Sequence, residues 1–234
     1  MKLVIVSGTP GSGKTSILLH SIKELRMRDY SVVIAKIDCI QTDDKRRFEK
    51  EKIPILVGIA GDMCPDHYSI YNTDYILKWG KSVYADTVII ETAGLCLRCA
   101  PYVDCGLAIC AIDVTTGPNT PLKIGPMLTT ADVIITTKGD LVSQAEREVF
   151  MERIYEINPH CKVIEANGLS GKGAAEISDI IVNYKKQVNS NMVLRHTPPL
   201  AICTLCTGEK RVDPSFHFGV LRTIGDKTDV YQGE

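Results

Sequence analysis

Apolar runs of strand length recur along this chain with little polar alternation inside them. They are Lys2 to Val6, Ser31 to Ile37, Ile53 to Ile59, Thr87 to Thr92, Gly106 to Val114, Asp132 to Thr137 and Cys161 to Ala166. Between several of them the apolar positions fall at helical spacing instead. This holds for Ser16 to Leu25, for a segment ending near Trp79, for Ser143 to Ile157 and for Ala174 to Val188. Strands without polar alternation need cover on both faces, so the pattern predicts an α/β fold with a mostly parallel sheet and helices on both sides. The charged stretch Lys45 to Lys52 reads as a solvated helix face. Near Asn189-Ser190-Asn191 the pattern stops, and Thr197-Pro198-Pro199 and Cys203-Thr204-Leu205-Cys206 follow with few helical signals. The expected organisation is one domain over 1–192 and a short C-terminal extension over 193–234, without repeats or low-complexity segments.

Composition adds boundaries to this picture. The 234 residues are 44% hydrophobic, enough for a core, and carry a formal net charge of -1. Near-zero charge offers no electrostatic reason to expect nucleic acid. No apolar run approaches the roughly 20 residues of a spanning helix, so membrane insertion is not expected. The first strand begins at Lys2 and leaves no room for a cleavable leader, which points to the cytosol. Nine cysteines are many for such a chain, and in a reducing compartment they are not expected to form structural disulfides. Cys110, within an apolar run, reads as a core thiol; Cys39 and Cys161 are ambiguous.

The turn after the first strand carries the clearest chemistry: Gly8-Thr9-Pro10-Gly11-Ser12-Gly13-Lys14-Thr15, followed by Ser16. It matches G-x-x-x-x-G-K-[ST], and its strand and helix flanks are those of a phosphate-binding P-loop. Glycines let backbone N–H groups turn inward, and the helix N-terminus adds partial positive charge. Lys14 would reach the β- and γ-phosphates, and the Thr15 hydroxyl would bind Mg²⁺.

Ligands of parallel sheets bind at the carboxyl ends of strands. Asp38 and Glu91 stand at such ends and are candidates to hold Mg²⁺ directly or through water; Asp38 could instead orient or activate the attacking water. Either could also be a plain surface or capping acid. The apolar strand feeding Glu91 makes its functional reading the stronger. Thr137-Lys138-Gly139-Asp140 resembles the [NT]-K-x-D guanine-recognition motif. A carboxylate at Asp140 can accept from guanine N1–H and N2–H together, a paired edge adenine lacks. The Lys138 stem can lie along the base. Asn167-Gly168-Leu169, after the last strand of the series, would close the base site.

With these residues in place the chain resembles the nickel-insertion GTPases of hydrogenase and urease maturation, HypB and UreG, with CobW proteins as more distant relatives. The resemblance rests on Gly8–Thr15, Asp38–Asp43, Glu91–Gly94, Asp113-Val114 with Pro121–Pro126, and Thr137–Asp140, and covers roughly residues 1 to 190. It implies a GTP-hydrolysing metallochaperone that forms a homodimer around nucleotide and delivers metal to a client enzyme or accessory protein. It says nothing about residues 195–234.

The clustered cysteines are candidate metal ligands. Cys64-Pro65-Asp66-His67 sits where the resemblance places a Cys-His or Cys-Pro-His metal site, with one residue more than the latter. Thiolate and imidazole from one loop suit Zn²⁺ or Ni²⁺. Cys96, Cys99 and Cys105 follow Glu91, where the hydrogenase-type relatives have one cysteine. Their C-x₂-C-x₅-C spacing could also hold a [4Fe-4S] cluster shared across a dimer. Cys203 and Cys206 form a second C-x₂-C pair, which could complete a Cys₄ site with Cys96 and Cys99 or act separately. The leading expectation is GTP hydrolysis gating metal or metallocofactor insertion. The alternatives are an iron–sulfur ATPase of the same fold class, against which Thr137-Lys138-x-Asp140 argues, and a small-molecule kinase.

Overall fold

The computed structural model describes residues 1–97, 99–196, 208–219, 221–225 and 229–233. The Cys203–Cys206 pair lies outside the described residues. Eight strands form one sheet in the order β7-β6-β5-β1-β4-β2-β3-β8. They are β1 (Lys2–Gly8), β2 (Val32–Asp38), β3 (Ile55–Ile59), β4 (Thr87–Glu91), β5 (Leu107–Asp113), β6 (Val133–Thr137), β7 (Lys162–Ala166) and β8 (Asp229–Tyr231). The first seven run parallel, β1 to β6 as their buried, unalternated sequences predict, with the edge strand β7 partly exposed, and β8 pairs antiparallel with β3.

The helices are α1 (Lys14–Arg26), α2 (Asp44–Lys50), α3 (Pro65–Tyr71), α4 (Thr73–Ser82), α5 (Gly125–Thr129), α6 (Gln144–Ile157) and α7 (Ala174–Asn183). They divide the core into two layers. Ile17, Leu18, Phe48, Ile177 and Ile181 from α1, α2 and α7 pack on Val4 and Val6 of β1. Tyr68, Ile76, Leu77, Met127, Phe150 and Ile154 from α3 to α6 pack on the opposite side with Leu3 and Ile5. Period-two alternation within β1 thus feeds both layers, and each fully buried side chain contributes about 1.5–3 kcal/mol.

Local chemistry sets several boundaries. Ser143 caps α6, accepting from Glu146 N–H while the Glu146 carboxylate accepts from Ser143 N–H. The helical pattern predicted to Val188 stops at Asn183, where Tyr184 turns extended and the Lys2 ammonium caps the carbonyls of Ile181 and Val182. The segment after Cys64 forms two helices rather than one, broken at Asn72. Its amide donates to the Tyr68 and Arg222 carbonyls at 2.8 and 2.9 Å, and its oxygen accepts from Ile224 N–H at 2.7 Å.

Asn72 therefore ties the C-terminal segment to the sheet layer. Leu194, Val212 and Ile224 are buried in the core layer of α3 to α6. The Arg195 guanidinium pairs with both Asp132 oxygens at 2.8 and 2.7 Å and donates to the carbonyls of Val103, Gly106 and Thr130.

Candidate functional site

The strand order puts β1 at the centre, with β4 on one side and β5 on the other. The turn leaving β1 therefore opens at the middle of the carboxyl edge, between the ends of β4 and β5. Gly13 adopts φ 78°, a left-handed conformation at the entry to α1. Gly94, after β4, has φ +70°, and a Cβ there would lie 1.7 Å from the Gly8 carbonyl oxygen. The two loops are packed backbone to backbone at this point.

A cleft of about 380 Å³ follows this edge, lined among others by Gly11, Gly13, Lys14, Thr15, Ser16 and Asp38. The Lys14 ammonium donates to the carbonyls of Gly8 and Thr9 at 2.7 and 3.0 Å. Burial pushes its pKa down, with Glu91 opposing. The Thr15 hydroxyl lies 2.6 Å from Glu91 Oε1 and 3.0 Å from Asp44 Oδ2. Lys36 Nζ stands 2.7 Å from the same Glu91 oxygen and 3.0 Å from Asp44. Burial would lower the Lys36 pKa, but Glu91 and Asp44 outweigh it and the value is raised. Asp44 is likewise pushed up by burial and pulled further down by Lys36, Thr15 and Arg47.

Glu91 Oε2 and the Ser12 hydroxyl are buried without a hydrogen-bond partner. A buried carboxylate oxygen left open beside a threonine hydroxyl and a second carboxylate fits a hard, oxygen-seeking cation. Thr15, Glu91 and Asp44 would hold Mg²⁺ here. Asp38 lines the same cleft, and its Oδ1 accepts from Cys39 N–H at 2.8 Å. Lys36, Asp44 and Arg47 escaped sequence reasoning. The only signal for Lys36 was a charge inside an apolar strand. Arg47 sits in the stretch read as a solvated face, yet it donates to Ser16 Oγ at 2.9 Å and to Asp44 at 3.1 Å.

The residues of the candidate base motif lie at the end of β6, beside the phosphate loop and the loop after β7. Thr137 Oγ1 donates to the Ser12 carbonyl at 2.8 Å, tying the end of β6 to the phosphate loop. Lys138 is left-handed, φ 58°, and its ammonium pairs with Asp113 at 2.5 Å. Asn167 Nδ2 donates to Asp140 Oδ1 at 3.0 Å, and its own oxygen accepts from Leu169 and Ser170 N–H. Leu169 is 92% exposed at the rim. Asp140 is therefore steadied by one oxygen while the other remains able to accept.

The candidate metal ligands separate into groups. Cys64 precedes α3 as its N-cap and is partly exposed, as is Cys96. Burial pushes the Cys64 thiol up to about 11, against the pull of the His67 N–H; Asp66 and Cys96 add to the rise. Cys99 is buried. Cys105 lies two residues before the start of β5, at the amino edge of the sheet. Seven residues of strand lie between it and the carboxyl edge, roughly 20 Å, so it does not join Cys64 and Cys96. The expected C-x₂-C-x₅-C set is thus split, because the loop crosses the sheet from the end of β4 to the start of β5.

His67 is buried, and its Nε2 lies 2.8 Å from His217 Nδ1. His217 Nε2 lies 2.9 Å from the Arg211 carbonyl, so it must carry the proton and donate. His217 Nδ1 then accepts from His67 Nε2–H. Burial, with His217 beside it, lowers the His67 pKa to about 4, so the ring is neutral with its free lone pair on Nδ1. Among the described residues, no three of His, Cys, Asp and Glu gather closely enough to hold one ion.

A model of the CobW/HypB/UreG nucleotide-binding domain matches residues 2–165. The chain belongs to the CobW/HypB/UreG family. A relative from Methanocaldococcus jannaschii, described as uncharacterized, is 54% identical over 100% of both chains. The hydrogenase maturation factor HypB of Azotobacter vinelandii is 31% identical over 72% of this chain and 55% of its own length. The urease accessory protein UreG of Haloquadratum walsbyi is 27% identical over 75% of this chain and 92% of its own. Among solved structures, HypB of Helicobacter pylori in complex with nickel superposes with a TM-score of 0.64 at 21% identity, covering 81% of this chain and 91% of that one. HypB of Archaeoglobus fulgidus gives 0.61 at 22% identity, covering 78% and 89%. This CobW/HypB/UreG member thus shares the family's P-loop fold. No helix among its described residues is long and apolar enough to cross a membrane.

Proposed function

We propose that this protein is a GTP-hydrolysing switch that gates delivery of a soft transition metal, nickel by its family ties, to a client enzyme. The observation that carries the reading is the position of Glu91. It is the last residue of β4, it touches Thr15, and it begins the loop on which Cys96 follows five residues later. A loop anchored at the phosphate site and bearing a thiol can transmit nucleotide state to metal affinity.

In this reading the P-loop amides and Lys14 hold the β- and γ-phosphates. Asp140 accepts from the guanine edge, steadied by Asn167, with Lys138 beneath the base. Mg²⁺ at Thr15, Glu91 and Asp44 would supply charge stabilisation for the transferring phosphoryl group. Asp38, which lines the same cleft, would orient the attacking water. Cys64 and Cys96 are the cargo ligands on this chain, and a second copy facing the nucleotide edge would complete the coordination. Ile40 and Leu95, 84% and 53% exposed beside the cleft, support such a face.

The experiment is a chelator competition for Ni²⁺ in the GTP-analogue and GDP forms, with light scattering in parallel. Affinities should differ by at least about ten-fold, the difference should vanish in Cys64→Ala/Cys96→Ala, and the analogue form should be dimeric. Equal affinities in both nucleotide states would overturn the gating reading.

A further inference from the structure

Lys36 is a buried cation in an otherwise apolar strand. It lies on β2, in Val-Val-Ile-Ala-Lys-Ile-Asp, and is 6% exposed. Taking an ammonium out of water costs several kcal/mol unless it is well paired. Its neighbours supply the pairing: Glu91 Oε1 at 2.7 Å, Asp44 Oδ2 at 3.0 Å and Thr15 Oγ1 at 3.4 Å. These three oxygens belong to the residues that would hold Mg²⁺. The ammonium therefore stands at their common centre. Lys14, the other buried cation of the cleft, is engaged by the carbonyls of Gly8 and Thr9 instead.

We infer that Lys36 is a tethered counter-ion of the Mg²⁺ position, holding Glu91 and Asp44 whenever no nucleotide is bound and releasing them to a divalent cation only as it turns to the phosphates of an incoming nucleotide. This rests on the GTP-binding reading above. The charge argument is direct. Two carboxylates beside a hydroxyl would attract free divalent ions, including a transition-metal cargo. One ammonium fixed between them cancels most of that attraction. An arriving triphosphate brings enough negative charge to draw the ammonium off, and the four-carbon lysine stem allows a shift of a few ångströms. Metal and nucleotide then enter together, and the hydrolytic site stays clear of cargo ions.

The probe is Mn²⁺, titrated by electron paramagnetic resonance into nucleotide-free protein. Lys36→Met should bind Mn²⁺ at least about ten-fold more tightly than wild type, and Lys36→Arg should stay near wild type. In a second arm with chelator and no divalent ion, GTPγS affinity should fall at least about ten-fold in Lys36→Met. Unchanged Mn²⁺ affinity in folded Lys36→Met overturns the inference. Thermal melting establishes folding, and Lys36→Gln, which keeps a donor toward Glu91, carries the same expectation if Lys36→Met does not fold. With neither variant folded, wild type decides: Mn²⁺ uptake as tight without GDP as with it overturns the inference, and weaker uptake without GDP supports it. The Mn²⁺ arm involves no nucleotide and no turnover. Wild type that hydrolyses GTP while Lys36→Met shows no Mn²⁺ gain sinks the Lys36 role alone. Wild type that binds no guanine nucleotide sinks the functional reading.

Discussion

Lys14 is the buried cation of the phosphate loop, fixed by the carbonyls of Gly8 and Thr9, whereas Lys36 rests on Glu91 and Asp44. Lys14→Ala should lower GTP hydrolysis by at least about 100-fold, the scale of removing one preorganised charge from a transition state. Phosphate release measures it, and near-normal turnover would exclude Lys14 from the reaction. Asp140→Asn presents a donor where guanine also donates. It should reduce the preference for GTP over ATP by about 1.5–3 kcal/mol, read by calorimetry with both nucleotides. Asp113 gives a pH signature. Burial pushes its carboxyl up, but Lys138 and Thr115 prevail and hold it below 3.8. A carboxylate depressed on folding contributes stability that is complete above its unfolded value and lost as pH falls through the folded one. Asp113→Asn should cost about 1 kcal/mol at pH 7 and converge with wild type as pH falls below the ordinary carboxylate range, in urea unfolding followed across pH. A constant difference across that range would mean that the ion pair is not the source.

At the scale of elements, the loop after β4 and the loop after β1 act as one unit. Gly94→Ala forces a Cβ to 1.7 Å from the Gly8 oxygen in a backbone conformation side chains rarely adopt. One loop must move, so nucleotide affinity should fall at least about ten-fold with a loss of roughly 2–4 kcal/mol of stability. Fluorescent-nucleotide titration and melting together check this, and a silent Gly94→Ala would show that the contact can relax. Ser143→Ala is the contrast. Loss of the capping box should cost about 1 kcal/mol, a fall in Tm of about 2–4 °C. GTP turnover should not change, because the capping bonds stay within Ser143 and Glu146, whereas the bond from α6 to the Gly139 carbonyl comes from Arg147.

At the scale of the molecule, the C-terminal segment closes the fold. Its buried residues, Leu194, Val212 and Ile224, complete the α3 to α6 layer. Arg195 ties Asp132 to three carbonyls of neighbouring loops. Arg195→Ala should cost about 2–3 kcal/mol, discounted because Asp132 is partly exposed, and lower Tm by about 5–10 °C. Differential scanning calorimetry checks it; a change below about 1 °C would place the segment outside the cooperative unit. The same segment reaches the cysteine loop, since His217 is the partner of His67.

The sequence by itself determined the parallel sheet, the P-loop, the base motif and the acid at the end of β4. Each is encoded within a few neighbouring residues: an unalternated apolar run, a glycine spacing, a tetrapeptide at a strand end. Backbone geometry and hydrogen-bonding chemistry act over that same range, so local text suffices. Only the tertiary structure decided which distant residues meet. Lys36 looked like a stray charge in a strand until β2 was placed beside β4, which sets it against Glu91. Asp44 and Arg47 belonged to a charged stretch whose inner face emerged only from the docking of α2 beside the P-loop. Cys105 matched a ligand spacing, yet the loop carrying it spans the sheet and leaves it at the far edge. His217 had no signal at all, because its role depends on a chain reversal that brings it 2.8 Å from a residue 150 positions earlier. Such pairings follow from strand order and packing of the whole chain, which no short stretch specifies.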